Sequence, residues 1–150
     1  MFEAVRTLPV TRKEAFAVLL DIARWEDWLP FRVRDHDARF KEPGDRVTVQ
    51  YRSFRIPLNA TATLEEVAVD ESLRLTIRVP GSVPLAISID LIGTGTKGVV
   101  IKVEADFNVP GGHLARAVWA RSLVPLVVRR EIDSALDRLH SLLAEPLLDG

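Results

Sequence analysis

The run Leu73-Arg74-Leu75-Thr76-Ile77-Arg78-Val79 sets an aliphatic residue on every second position and a polar one between each pair. Neighbouring residues of a strand point to opposite faces, so this period of two predicts a strand with one apolar and one wet face. The surroundings follow the same parity. Leu85, Ile87, Ile89 and Leu91 form a second apolar row, and Val99, Ile101, Val103, Ala105 and Phe107 a third, with Lys102, Glu104 and Asp106 opposite. Upstream, the turn Pro43-Gly44-Asp45 introduces Val47, Val49 and Tyr51, which alternate with Arg46, Thr48, Gln50 and Arg52. Leu58, Ala60, Ala62 and Leu64 continue the pattern until the parity jumps to Val67 and Val69, which predicts a bulge near Glu65-Glu66 and a curl in the sheet. From Val33 to Phe107 the punctuation is that of successive hairpins, so the sheet reads as antiparallel.

Outside that block the period is mostly helical. Phe2 to Pro9 reads as a first strand. Thr11-Arg12-Lys13-Glu14 then has the form of a capping box, in which the Thr11 hydroxyl accepts from the Glu14 amide and the Glu14 carboxylate returns to the Thr11 amide. A helix carrying Ala15, Phe16, Val18, Leu19 and Ile22 follows, then a second short turn with Trp25, Trp28 and Leu29 that Pro30 ends. After Pro110-Gly111-Gly112 the helical period returns. Ile132, Ala135, Leu136, Leu139, Leu142 and Leu143 form its apolar stripe, and Arg130, Glu131, Asp133, Asp137 and Arg138 read as its solvated positions. Pro125 in the first half of this segment predicts a kink or a break. The fold class is α+β: a curved antiparallel sheet of about seven strands around a long C-terminal helix, with two short helices between the first and second strands. Residues 1–150 read as a single domain.

Composition bounds the function. With 47% hydrophobic and 27% charged residues in 150, the chain is an ordinary globular mixture. A chain of this size buries roughly 70% of its unfolded surface without staples. The absence of cysteine excludes a disulfide framework, a thiolate zinc site and a cysteine nucleophile. Twenty Lys+Arg against 21 Asp+Glu leave a net charge of -1, which gives no bulk field favouring nucleic acid or an anionic membrane. No stretch of about 18 apolar residues and no signal-peptide pattern is visible, so the expectation is a cytoplasmic protein without integral membrane insertion.

The chemistry-bearing motifs mostly have plain structural readings. Gly93-Thr94-Gly95-Thr96-Lys97-Gly98 matches the string of dinucleotide-binding turns, but a strand pattern follows it where a helix is required, so it reads as a hairpin loop. His36 sits between Asp35 and Asp37 on alternating strand faces, and His140 follows the core position Leu139. No two histidines have ligand spacing on one element, so no metal site is expected. Glu104 and Asp106 share a face, but the wet one. No nucleophile with an evident base appears, and no catalytic residue or cofactor is assigned. His113, at the mouth of the last helix, and an arginine among Arg116, Arg121, Arg129 and Arg130 are candidates for orienting a polar head group.

A curled sheet exposes an apolar concave face that only the long helix is large enough to cover. Ala60, Ala62 and Ala105 are too small to fill its centre, while Trp25, Trp28, Tyr51, Phe54 and Phe107 fall near strand ends or the helical insertion. This pattern predicts an apolar space of ligand size. Trp25, Trp28 and Phe31 would form its lid or mouth, and Tyr51 and His113 would orient the ligand. Leu75, Ile77, Ile87, Ile89 and Phe107 would line walls on the sheet, and Trp119, Leu123, Leu126 and Val127 on the helix. Sequence alone does not separate core from lining, because both demand apolar residues.

The run from Leu8 to Phe16, the paired tryptophans between Asp21 and Pro30, the Pro43-Gly44-Asp45 turn and the terminal helix together resemble the START-related helix-grip superfamily. That superfamily includes birch-pollen-allergen-like proteins, polyketide cyclases and dehydrases, coenzyme Q-binding and lipid-transport proteins. The resemblance spans the whole chain through the order of its elements. It implies a deep cavity between sheet and C-terminal helix that takes an apolar small-molecule partner: a lipid, a quinone or a polyketide-like aromatic. A cyclase or dehydratase and a protein-interaction module stand as alternatives, and the oligomeric state is open between monomer and homodimer.

Overall fold

The computed structural model describes residues 2–35, 37–51, 58–80, 83–93, 98–107, 112, 114 and 124–144. Its strands are β1 (Phe2–Leu8), β2 (Phe31–Val33), β3 (Arg46–Tyr51), β4 (Leu58–Ala68), β5 (Ser72–Arg78), β6 (Leu85–Gly93) and β7 (Val99–Phe107). They form one seven-stranded antiparallel sheet in the order β1-β7-β6-β5-β4-β3-β2. Strands β2 to β7 follow one another as a meander, which leaves β1 and β2 as the two edges.

The chain between those edges therefore has to cross the width of the sheet. It does so through α1 (Arg12–Leu20), a 3-10 turn (Ile22–Arg24) and α2 (Trp25–Trp28). Thr11 caps α1, accepting from the Glu14 amide at 3.2 Å. The reciprocal bond differs from the expected one: the Thr11 hydroxyl itself donates to the Glu14 carboxylate at 3.0 Å, since a hydroxyl can accept and donate at once.

The register of β4 against β5 shifts between Leu64 and Glu66, where the sequence parity jumps. At the predicted turn before β3, Gly44 takes φ +95°, and its amide donates to the Leu64 carbonyl at 2.7 Å. The Asp45 carboxylate accepts from the Lys41 and Glu42 amides at 2.9 Å each, and these bonds hold its pKa below the ordinary 3.8. Gly93 pairs with Val99 across β6 and β7, so the glycine string joins antiparallel neighbours as a hairpin connection. Its residues 94–97 lie outside the described residues, as does His36.

The C-terminal helix α3 (Val124–Ala144) lies over the sheet with Ala135, Leu136, Leu139 and Leu143 buried. Pro125 lies at the start of the described part of this helix, and residues 115–123 before it lie outside the described residues. The segment in which Pro125 was expected to cause a kink lies largely outside the described residues. Arg6 of β1 ties down the helix through Asp133 at 3.0 Å and Asp137 at 3.6 Å. Such half-exposed pairs are worth at most about 1 kcal/mol each, so apolar burial rather than charge seats the helix.

Candidate functional site

The apolar rows of β5, β6 and β7 stand side by side. Leu73, Leu75 and Ile77 pair with Ile89, Ile87 and Leu85, which in turn pair with Val103, Ala105 and Phe107. Burial changes along these rows. Leu73 is 2% exposed and Ile89 8%, whereas Leu75, Ile77, Leu85 and Ile87 are only half-buried although they share the same face. Packing therefore stops midway along the strands and leaves a hollow of about 450 Å³, bounded by the sheet, α2 and α3. That volume falls within the roughly 300–1,000 Å³ of small-molecule sites.

Two small residues of β4, Ala60 and Ala62, form the floor, and their short side chains leave the space above them unfilled. Leu19, Trp25, Trp28, Leu29 and Pro30 close one side. Val127, Val128, Ile132, Ala135 and Leu136 present the helix, at the i, i+4, i+8 spacing that keeps residues on one face. Phe31 and Tyr51, opposite each other in β2 and β3, meet edge to face with ring centroids 5.9 Å apart. Leu58 is 39% exposed and Val127 42%, so the lining reaches solvent at these residues.

The paired tryptophans are built differently. The Trp25 indole donates to the Leu19 carbonyl at 2.9 Å and packs edge to face on Phe40 at 5.1 Å. The Trp28 indole nitrogen is buried with no hydrogen-bond partner among the described residues. Arg138 of α3 donates to the Trp28 backbone carbonyl at 3.0 Å, and Glu26 accepts from the Val33 amide at 3.2 Å, so α2 is pinned to both the helix and the sheet. Trp25 and Trp28 both contribute to the wall of the hollow.

Ionisable groups are few. Among the described lining residues only Tyr51 and Glu131 carry one, and no basic side chain takes part. Glu131, read as solvated from sequence, lies on the wall. Its signal was present: it stands four residues before Ala135, on the edge of the apolar stripe.

The structure brings Trp25, Trp28, Phe31, Tyr51, Leu75, Ile77, Ile87, Ile89, Phe107 and Val127 together around the hollow. Phe54, His113, Trp119 and Leu123, with Arg116 and Arg121, lie outside the described residues. Leu126 is corrected: it is 56% exposed and off the wall, because it sits one residue round the helix from Val127, away from the Val128 and Ile132 stripe. Arg129 and Arg130 are also exposed and off the wall, and the Arg129 guanidinium stacks 5.1 Å from the Phe2 ring centroid.

A curved antiparallel sheet gripping a C-terminal helix defines a helix-grip protein of the START-related superfamily. The chain belongs to the polyketide cyclase/dehydrase and lipid transport family, whose profile matches residues 1–144. No curated protein sequence matches it. A solved Arthrobacter aurescens protein has 11% identity and a TM-score of 0.78, with 97% of this chain and 86% of that one covered. A Chromobacterium violaceum protein has 18% identity and a TM-score of 0.70, with 95% of each chain covered. A point mutant of Thalictrum flavum norcoclaurine synthase, in complex with a transition-state analogue, has 14% identity and a TM-score of 0.65, with 96% of this chain and 93% of that one covered. At these identities the likeness shows the fold.

Proposed function

We infer that the chain, acting as one domain, binds a hydrophobic small molecule in the hollow between sheet and C-terminal helix, as a carrier or sensor. The observation that carries this reading is the half-buried state of Leu75, Ile77, Leu85 and Ile87, which line the space without filling it. Apolar surface left in that state gains about 25 cal/mol for each Å² that a ligand covers. The family's description includes lipid transport, which agrees with this reading. The lining residues named above would be the ligand contacts, and the exposed pair Leu58 and Val127 would mark the entry.

Native mass spectrometry of the purified protein, with organic extraction of what accompanies it, tests the proposal. A stoichiometric apolar compound supports it. A clean apo mass, with no thermal stabilisation by lipids or quinones, overturns it.

A further inference from the structure

Among the described residues that line the hollow, Glu131 alone belongs to an acidic or basic type. Its place follows from helical spacing. Val127, Glu131 and Ala135 stand four residues apart on one face of α3, and all three line the space. Exposure falls along that line, from Val127 at 42% through the half-buried Glu131 to Ala135 at 4%. Each step is about one turn, roughly 6 Å of rise, so Glu131 sits one turn inward from the solvent-reaching Val127, at the rim of the hollow. The neighbouring acids of the helix are already paired, since Arg6 holds both Asp133 and Asp137. Glu131 has no ion pair or hydrogen bond among the described residues.

We propose that the ligand is a cationic amphiphile, with an apolar body in the hollow and an ammonium at the rim that pairs with Glu131. The inference rests on the binding reading above and narrows it to one charge class. An apolar body that fills the hollow displaces water beside Glu131, and a buried carboxylate left without a partner is costly. An ammonium offers donors only and a carboxylate acceptors only, and the bond between them is charge-assisted, the stronger kind. A ketone or quinone brings no donor, and a fatty acid sets a second negative charge beside the first. A hydroxyl donates but leaves the charge of the carboxylate uncompensated.

The experiment is fluorescence titration of the full chain at neutral pH with three molecules on one skeleton: anthracen-9-ylmethanamine, anthracen-9-ylmethanol and anthracene-9-carboxylate. The amine, protonated at that pH, binds about tenfold tighter than the alcohol, an advantage of about 1.4 kcal/mol, and the acid binds more weakly than either. Glu131→Gln keeps the shape and removes the charge: the advantage of the amine falls to about threefold or less while the alcohol binds as before. Glu131→Lys reverses the order of amine and acid. Glu104→Gln removes the same charge from the opposite face of β7, where Glu104 meets Lys102 at 3.1 Å, and keeps the advantage. Equal binding of amine and alcohol, tighter binding of the acid, an advantage that survives Glu131→Gln, an order of amine and acid that Glu131→Lys does not reverse, or an equal loss in Glu104→Gln overturns the inference and leaves the binding reading intact. Failure of all three to bind the wild type overturns the binding reading itself.

Discussion

The two halves of the concave face are written in the same alphabet and behave differently. At one end Leu8, Leu64, Val99 and Leu139 are each no more than 1% exposed and belong to the buried core. At the other end Leu75, Ile77, Leu85 and Ile87 continue the same rows with the same residue types and remain half-buried. The open end runs beside Ala60 and Ala62 of the same sheet, whose short side chains add little to the layer, and under the first described turns of α3. An apolar row supplies cohesion only where a partner layer reaches it; beyond that limit it is unpaired surface available to a ligand.

Truncation should expose this contrast most strongly. Leu64→Ala and Leu8→Ala at the closed end each cost about 2–5 kcal/mol, because a cavity opens in a packed core. Leu85→Ala at the open end costs about 1 kcal/mol or less, since the space is already there. Urea denaturation checks the pair, and equal losses would erase the distinction.

Enlargement sharpens the contrast from the other side. Ile87→Trp grows into the hollow, leaves stability within about 1 kcal/mol and weakens hydrophobic-ligand binding at least about tenfold. The matching change Leu64→Trp overpacks the closed end and costs about 1–3 kcal/mol or more. Calorimetric titration and thermal melts read the two effects separately.

The tryptophans offer a finer version of the same comparison. Trp25→Phe strands the Leu19 carbonyl and costs about 1–3 kcal/mol, whereas Trp28→Phe breaks no described side-chain hydrogen bond and costs about 1 kcal/mol or less in the ligand-free protein. A larger loss for Trp28→Phe than for Trp25→Phe would mean that the indole N–H of Trp28 is already engaged.

The smallest effect lies outside both halves, at Asp45. Backbone amides lower its folded pKa below 3.8, so its contribution to stability is present above the unfolded value and is lost as pH falls through the folded one. Wild type should exceed Asp45→Ala in denaturation midpoint near neutrality, with the gap closing below about pH 4. A gap that persists in acid would contradict the assignment of the effect to the ionised carboxylate.

Much of this was legible in the sequence for physical reasons. A strand's period of two fixes which residues face inward, so the rows from Leu73 to Val79 and from Leu85 to Leu91 were placed on the right face, and the parity jump marked the register shift after Leu64. The extent of packing was not legible, because half-buried Leu75 and fully buried Leu73 obey the same pattern. Nor was the rotation of α3: a short error in where its stripe begins moves Leu126 onto the wall and Glu131 off it. Helical spacing measured back from Ala135 through Ile132 and Val128 carries the correct phase.

Methyl NMR of the full chain titrated with anthracene reads the central claim residue by residue. The account predicts saturable one-to-one binding that shifts the methyls of Leu75, Ile77, Leu85 and Ile87 and leaves those of Leu8, Leu64 and Leu139 in place. No saturable binding, or shifts confined to the exposed Val5, Val69, Ile92 and Leu126, would contradict it.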